Sequence, residues 1–275
     1  MTRAKPRFVA LALLIALTAF GGSTAAVAEE ESRFSGVAQL DLTNAYYFRG
    51  ILNEKRGFIA QPWGEVYMNL YSSEDGLIRD VTAGFGVWLS IHSKETLASS
   101  SPHSIYEADY YPLVSVDFAG GFNLLTTYYF YDSPNGAWGP AVQELNFKLA
   151  YDDSEFTKLS PWVNVAIETF STSLGPNSGS GVQFGIAPTL YENDAFSVSG
   201  SAELGLAIND YYEGVDSSEN AFGYANLGVG VGVPITDSWA ANVGFKYFIF
   251  GDDLQTVNGG NGGHGVGTLS LSASF

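Results

Sequence analysis

The strongest constraint on this chain is a period of two. Near the C-terminus, Gly267, Leu269, Leu271, Ala273 and Phe275 alternate with Thr268, Ser270, Ser272 and Ser274. Successive side chains of a strand point to opposite faces, so this stretch is a strand with one apolar and one polar side. The pattern recurs in VTAGFGVWLSIH, where Val81, Ala83, Phe85, Val87, Leu89 and Ile91 occupy the odd positions. It recurs again where Val198, Ala202, Leu204, Leu206 and Ile208 alternate with Ser197, Ser199, Ser201, Glu203 and Asn209. Downstream of the first residues no apolar run approaches the roughly 18 residues that a spanning helix requires.

Such segments predict about twelve strands, near residues 34–48, 58–72, 77–92, 105–118, 121–131, 141–152, 161–172, 181–191, 196–209, 222–235, 239–250 and 265–275. The connections alternate in length. SSEDG, AGG, DDSE, ENDA and TDS are tight turns, whereas residues 93–104, 210–223 and 251–265 are long. The expected fold is therefore all-β: a transmembrane antiparallel β-barrel of about 12 strands, with short periplasmic turns and long extracellular loops. Pro62, Pro112 and Pro188 fall inside strands, where a missing N–H predicts bulges or broken pairing.

Charge parity is consistent with a barrel. Asp41, Glu65, Glu107, Asp109, Glu144, Lys148, Glu168, Glu203 and Lys246 each fall opposite the apolar series of their own strand. Parity alone fits a soluble barrel equally well. The small, aliphatic outer series and the aromatics at strand ends favour a membrane. NAYYFRG (44–50), TYYFYD (127–132) and KYFIFG (246–251) meet long loops, while Tyr71, Tyr151, Tyr191 and Trp239 sit at the short turns, so two aromatic girdles are expected.

The first residues read as a secretory leader, with Arg3, Lys5 and Arg7 before an apolar run and Ala26-Val27-Ala28 at the cleavage point. The expected organisation is a removed signal peptide, residues 1–28, and one barrel domain, residues 29–275. Losing three basic residues moves the formal charge from −17 to −20, which disfavours nucleic acid as a partner. There is no cysteine, so disulfides do not hold the fold.

LDLTNAYYFRGILNEKRGFIAQPWGEVYMNLY resembles the opening of the TorF family of porins, with Tyr46, Phe48, Arg49, Gly50, Ile51 and Gln61 in the corresponding places. Glu107, Asp109 and Tyr111, followed by Tyr129-Phe130-Tyr131 and Pro134, are similar to that family's acidic strand and its aromatic hairpin partner. The similarity runs over residues 37–152, with Pro112 a departure. It implies the bacterial outer membrane, with outer-membrane lipids and lipopolysaccharide as surroundings. The terminal Phe275 resembles the signal read by the barrel-assembly machinery.

Twelve strands lie between a filled eight-stranded barrel and an open sixteen-stranded one. The leading expectation is a narrow channel for small solutes or ions, lined by the nine charged residues above and weakly cation-preferring because most are acidic. In this reading Asp41 and Glu65 lie near mid-depth on neighbouring strands, with Glu203 at similar depth. The alternative is a plugged structural or surface-binding barrel whose carboxylates and lysines pair across the lumen. A lipid hydrolase is weaker: Ser90 and His92 share a face, but no nucleophile motif accompanies them. Asp210, Glu213, Asp216 and Glu219 match no calcium-loop pattern, and NGGNGGHG has no phosphate-loop lysine, so neither metal nor cofactor is expected.

Overall fold

The computed structural model describes residues 33–97, 101–138, 142–170, 179–209, 211 and 221–275. The leader and the loop acids Asp210, Glu213, Asp216 and Glu219 lie outside the described residues. The strands are β1 (Phe34–Thr43), β2 (Tyr46–Phe48), β3 (Ile51–Glu54), β4 (Ile59–Ser72), β5 (Ile78–His92), β6 (Ile105–Phe118), β7 (Phe122–Asp132), β8 (Val142–Tyr151), β9 (Trp162–Phe170), β10 (Ser180–Ile186), β11 (Thr189–Glu192), β12 (Ser197–Asn209), β13 (Phe222–Pro234), β14 (Trp239–Phe250) and β15 (Gly263–Ser274), and a short helix α1 (Asp252–Val257) precedes β15.

Twelve of these strands close an antiparallel barrel. Its order is β1, β4 to β10, then β12 to β15, and β15 returns to β1 from Val37 opposite Ser274 to Thr43 opposite Thr268. Closure leaves no unpaired edge, which is the condition for crossing a bilayer with strands. Outward-facing large side chains stay uncovered: Leu227 is 64% exposed, Val243 56% and Leu269 54%. In water so broad an apolar belt would be unfavourable, and a hydrocarbon layer is its natural solvent.

The prolines interrupt pairing as expected, without changing register. Between β4 and β5 the ladder passes from Ala60–Ile91 to Trp63–Trp88, leaving Gln61 and Pro62 out. Between β6 and β7 it passes from Tyr110–Phe130 to Leu113–Thr127, across Tyr111 and Pro112. Pro188 separates β10 from β11, and β11 continues the pairing on the same side of β12, with Tyr191 opposite Val198 and Glu192 opposite Ser197. Phe275 closes the chain onto β1: its N–H donates to Gly36 O at 3.1 Å and its carbonyl accepts from Gly36 N at 2.9 Å.

Two expectations need correction. The first barrel strand ends at Thr43, not at residue 48, and Tyr46–Phe48 instead forms a separate hairpin with Ile51–Glu54. Its two-residue turn has both Arg49 (φ 46°) and Gly50 (φ 85°) in the left-handed region, the geometry that suits the twist of paired strands. Gly50 is required twice over, since a Cβ there would also lie 2.6 Å from Leu254 Cδ1. Secondly, Asp41 is not level with Glu65. Asp41 pairs with Gln61 and Glu65 with Val37, four residues apart, which is about 13 Å along the strand at 3.3 Å per residue.

Candidate functional site: the lumen

The β2–β3 hairpin leaves the wall at Thr43, re-enters at Ile59, and reaches across the interior. Arg49 donates through both terminal nitrogens to Glu144 on β8, at 2.5 Å to Oε2 and 2.6 Å to Oε1. The guanidinium also donates to Asn146 Oδ1 at 3.0 Å and lies 4.9 Å from the Phe48 ring centroid. Glu144 accepts further bonds from Tyr211 (2.8 Å), Tyr131 (3.2 Å) and Asn146 (2.6 Å). A forked cation meeting a carboxylate supplied with this many donors can hold a buried charge pair in place.

Other contacts hold the hairpin along its length. Tyr46 donates to Glu107 on β6 at 2.8 Å, and Asn258, after α1, accepts from Leu52 N at 2.9 Å and donates to Gly50 O at 2.8 Å. Leu254 of α1 is fully buried in a cluster with Tyr211, Tyr224, Phe248 and Phe250, against which Tyr47 and Ile51 pack. At the far end of the hairpin Glu54 accepts from Thr96 Oγ1, from Arg56 Nε at 3.1 Å and from the N–H groups of Lys55 and Arg56. Burial pushes its carboxyl pKa up, but these donors outweigh burial and hold it down at about 2.

The aromatic girdle at the long-loop end is consequently only half a girdle. Tyr46, Tyr131, Phe248 and Phe250 are buried inside, and only alternate rings of the same segments, such as Tyr247, face outward. At the other end Tyr71, Tyr191 and Trp239 are exposed, as an interfacial belt requires.

Below the hairpin lies a cavity of about 400 Å³. Of the nine charged residues singled out from sequence, Asp109, Lys148 and Glu203 line it, together with Arg49 and inward rings including Trp88, Tyr129 and Trp162. Glu203 accepts from Tyr224, and Lys148 Nζ stands 4.7 Å from the Trp162 ring centroid. Asp41 accepts from Gln39 at 2.7 Å and Trp63 at 3.3 Å. Glu65 accepts from Tyr111 at 2.8 Å and from Tyr67. Glu168 accepts from Gly179 N at 2.9 Å, and Lys246 lies 5.9 Å from the Phe248 ring centroid. Among the described residues neither lysine is within ion-pair distance of a carboxylate, so the lysines do not close the lumen by pairing across it. The cation that does pair there is Arg49, to which no charge role was given from sequence. Its signal was available: a single basic residue, followed by glycine, inside an aromatic run.

The two halves of the inner face differ in packing. Ser90, Asp109, Thr127, Glu144, Asn146, Gln183 and Asn226 are buried on the long-loop side. Towards the short turns Asn69, Ser115, Asn123, Ser201, Gly230 and Asn242 on the same face are only half-buried. Inward rings fit because glycines oppose them. A Cβ at Gly86 would lie 2.2 Å from the Tyr111 ring, and one at Gly205 would lie 2.2 Å from that of Tyr224.

Ser90 and His92 do meet. Ser90 Oγ is 2.9 Å from His92 Nε2, and His92 Nδ1 is 2.9 Å from Thr96 Oγ1, which donates to Glu54. This continuous relay is buried: Ser90 is 0% exposed and His92 2%, and neither lines the cavity. Among the described residues no group of three or more His, Cys, Asp and Glu is placed to hold a metal.

No protein-family model and no curated protein matches the chain. In shape it is similar to an outer membrane channel from Pseudomonas putida F1, at 12% identity over 91% of this chain and 100% of that one, with a TM-score of 0.51. The NanC porin (9% identity, 88% and 98% covered, TM-score 0.45) and an outer membrane phospholipase of Salmonella typhi (12% identity, 86% and 89% covered, TM-score 0.45) are more distant in shape. The fold is that of the outer-membrane β-barrels.

Proposed function

We propose that the protein is an outer-membrane channel for passive diffusion of small solutes, with an acidic lumen and a weak preference for cations. The observation that carries this reading is the cavity of about 400 Å³ inside a closed barrel, bounded by aromatic, charged and polar side chains with Leu125 among them. Asp41, Glu65, Glu107, Asp109, Glu144, Lys148, Glu168, Glu203 and Lys246 set the field along the path. Seven of these nine are acidic, and a low-dielectric wall lined by one sign concentrates counter-ions. The TorF porins are the family its opening residues resemble. The leader, residues 1–28, directs export; lipid and lipopolysaccharide meet the apolar belt; and Phe275 engages the assembly machinery.

A plugged barrel is the second reading, favoured by the Arg49–Glu144 pair that fixes the hairpin across the lumen. The Ser90–His92 relay belongs to that scaffold and carries no catalysis in either reading. Single-channel recording of refolded residues 29–275 in a planar bilayer under a salt gradient separates the two. The channel reading expects discrete steps and a cation-directed reversal potential, which Glu65→Gln and Glu203→Gln reduce. Silence from a folded, heat-modifiable barrel supports the plug.

A further inference from the structure

We propose that the lumen contains a binding site for a small organic ammonium ion that carries at least one N–H, centred on Asp109; this rests on the cation-preferring reading of the same cavity and names its ligand class.

Asp109 is 6% exposed and lines the cavity, and its Oδ1 is buried with no hydrogen-bond partner among the described residues. A buried carboxylate oxygen without a donor is costly and calls for one. Among the described residues no neighbouring donor reaches it. Asp109 faces Trp88 on β5 and Tyr131 on β7 in register, with Tyr111 two positions along its own strand. Three of the nearby phenols are committed elsewhere: Tyr46 donates to Glu107, Tyr111 to Glu65 and Tyr131 to Glu144, while neither the Tyr129 hydroxyl nor the Trp88 indole N–H, both on the cavity, bonds to Asp109 Oδ1.

Charge balance points the same way. Glu107, Asp132 and Glu144 all act on Asp109 with the same sign. Arg49 is held by Glu144. A partner that is both a donor and a cation answers the unfilled oxygen and the surrounding negative charge together.

The rings narrow its chemistry. Tyr111 and Tyr129 lie 4.7 Å apart, Tyr129 and Tyr131 stack at 5.4 Å, and Tyr46 and Trp88 lie 5.3 Å apart, all five bordering the cavity. Aromatic faces attract cations and also accept the alkyl groups attached to them. They offer little to a strongly hydrated metal ion, and among the described residues no group of three or more His, Cys, Asp and Glu gathers to hold one. A primary alkylammonium satisfies both requirements: N–H towards Asp109 Oδ1, carbon against the rings.

The test is equilibrium binding to refolded residues 29–275 in detergent, read by calorimetry and tryptophan fluorescence, with n-butylammonium as the probe. Saturable binding is expected, weakened at least tenfold by Asp109→Asn and several-fold by Trp88→Leu, with both variants checked for heat-modifiability. Tetramethylammonium, which has no N–H, is expected to bind at least tenfold more weakly, and equimolar potassium chloride should not displace the amine. No saturable binding to the folded wild-type barrel, equal affinity for the two amines, displacement by potassium, or unchanged binding in a folded variant overturns the site. Because binding needs no current, a barrel that binds the amine but never conducts overturns the channel reading and leaves this site standing.

Discussion

The lumen has two halves built from one alternating pattern, and they have opposite characters. On the long-loop side the inner face is buried under a hairpin fixed by Arg49–Glu144, Tyr46–Glu107 and Asn258. On the short-turn side the inner face carries small and polar groups such as Ser201, Gly230 and Asn242, which stay half-exposed. One wall serves both halves, and the difference between them lies in what folds inside it. Strand number alone would have assigned one character to the whole interior.

The largest effect should come from removing the hairpin. Thr43 and Ile59 already pair, so residues 46–57 can be replaced by a short glycine-serine turn without straining the wall. Conductance is expected to rise several-fold in single-channel recording, and an unchanged value would erase the distinction between the halves. Next is Arg49→Ala. It strands a Glu144 side chain only 2% exposed, and breaking a buried pair costs about 3–5 kcal/mol. The hairpin should loosen, and trypsin should cut after Lys55 and Arg56 many times faster than in the wild type.

Gly86→Ala is expected to have an intermediate effect. The new methyl would collide with the Tyr111 ring, displacing its hydroxyl from Glu65 and costing about 1–3 kcal/mol in a chemical-denaturation series. The smallest effect concerns acid. The Glu54 pKa, about 2 in the fold against 4.5 for the free side chain, means that its contribution is fully present above pH 4.5 and is lost as pH falls through 2. Resistance of the hairpin to pepsin, which is active in acid, should thus fall as pH is lowered from 4.5 through 2, and Glu54→Gln should abolish that part of the dependence.

The wall of the barrel was legible because its signal is local. Period two placed every barrel strand within a few residues, and Pro62, Pro112 and Pro188 marked the interruptions. The hairpin was not, because Tyr46-Tyr47-Phe48 continues the run of β1 in composition while Arg49 and Gly50 turn it inward. The depth of Asp41 relative to Glu65 was hidden for another reason: it depends on register, which alternation leaves free to shift by any even number of residues. Direction was likewise concealed in the aromatic segments, where Phe248 and Tyr247 are neighbours in sequence and point to opposite solvents.

The most direct test of an interior narrowed at the long-loop end and wider at the other is one-sided thiol labelling. The chain has no cysteine, so Lys148→Cys introduces a single reporter on the cavity wall. With the barrel inserted in one orientation in vesicles, a charged, membrane-impermeant thiol reagent is added to either face and labelling is followed by mass. The account predicts reaction at least tenfold faster from the short-turn face, and equal rates from both faces once residues 46–57 are removed. Equal rates in the intact barrel, or faster reaction from the long-loop face, would contradict it.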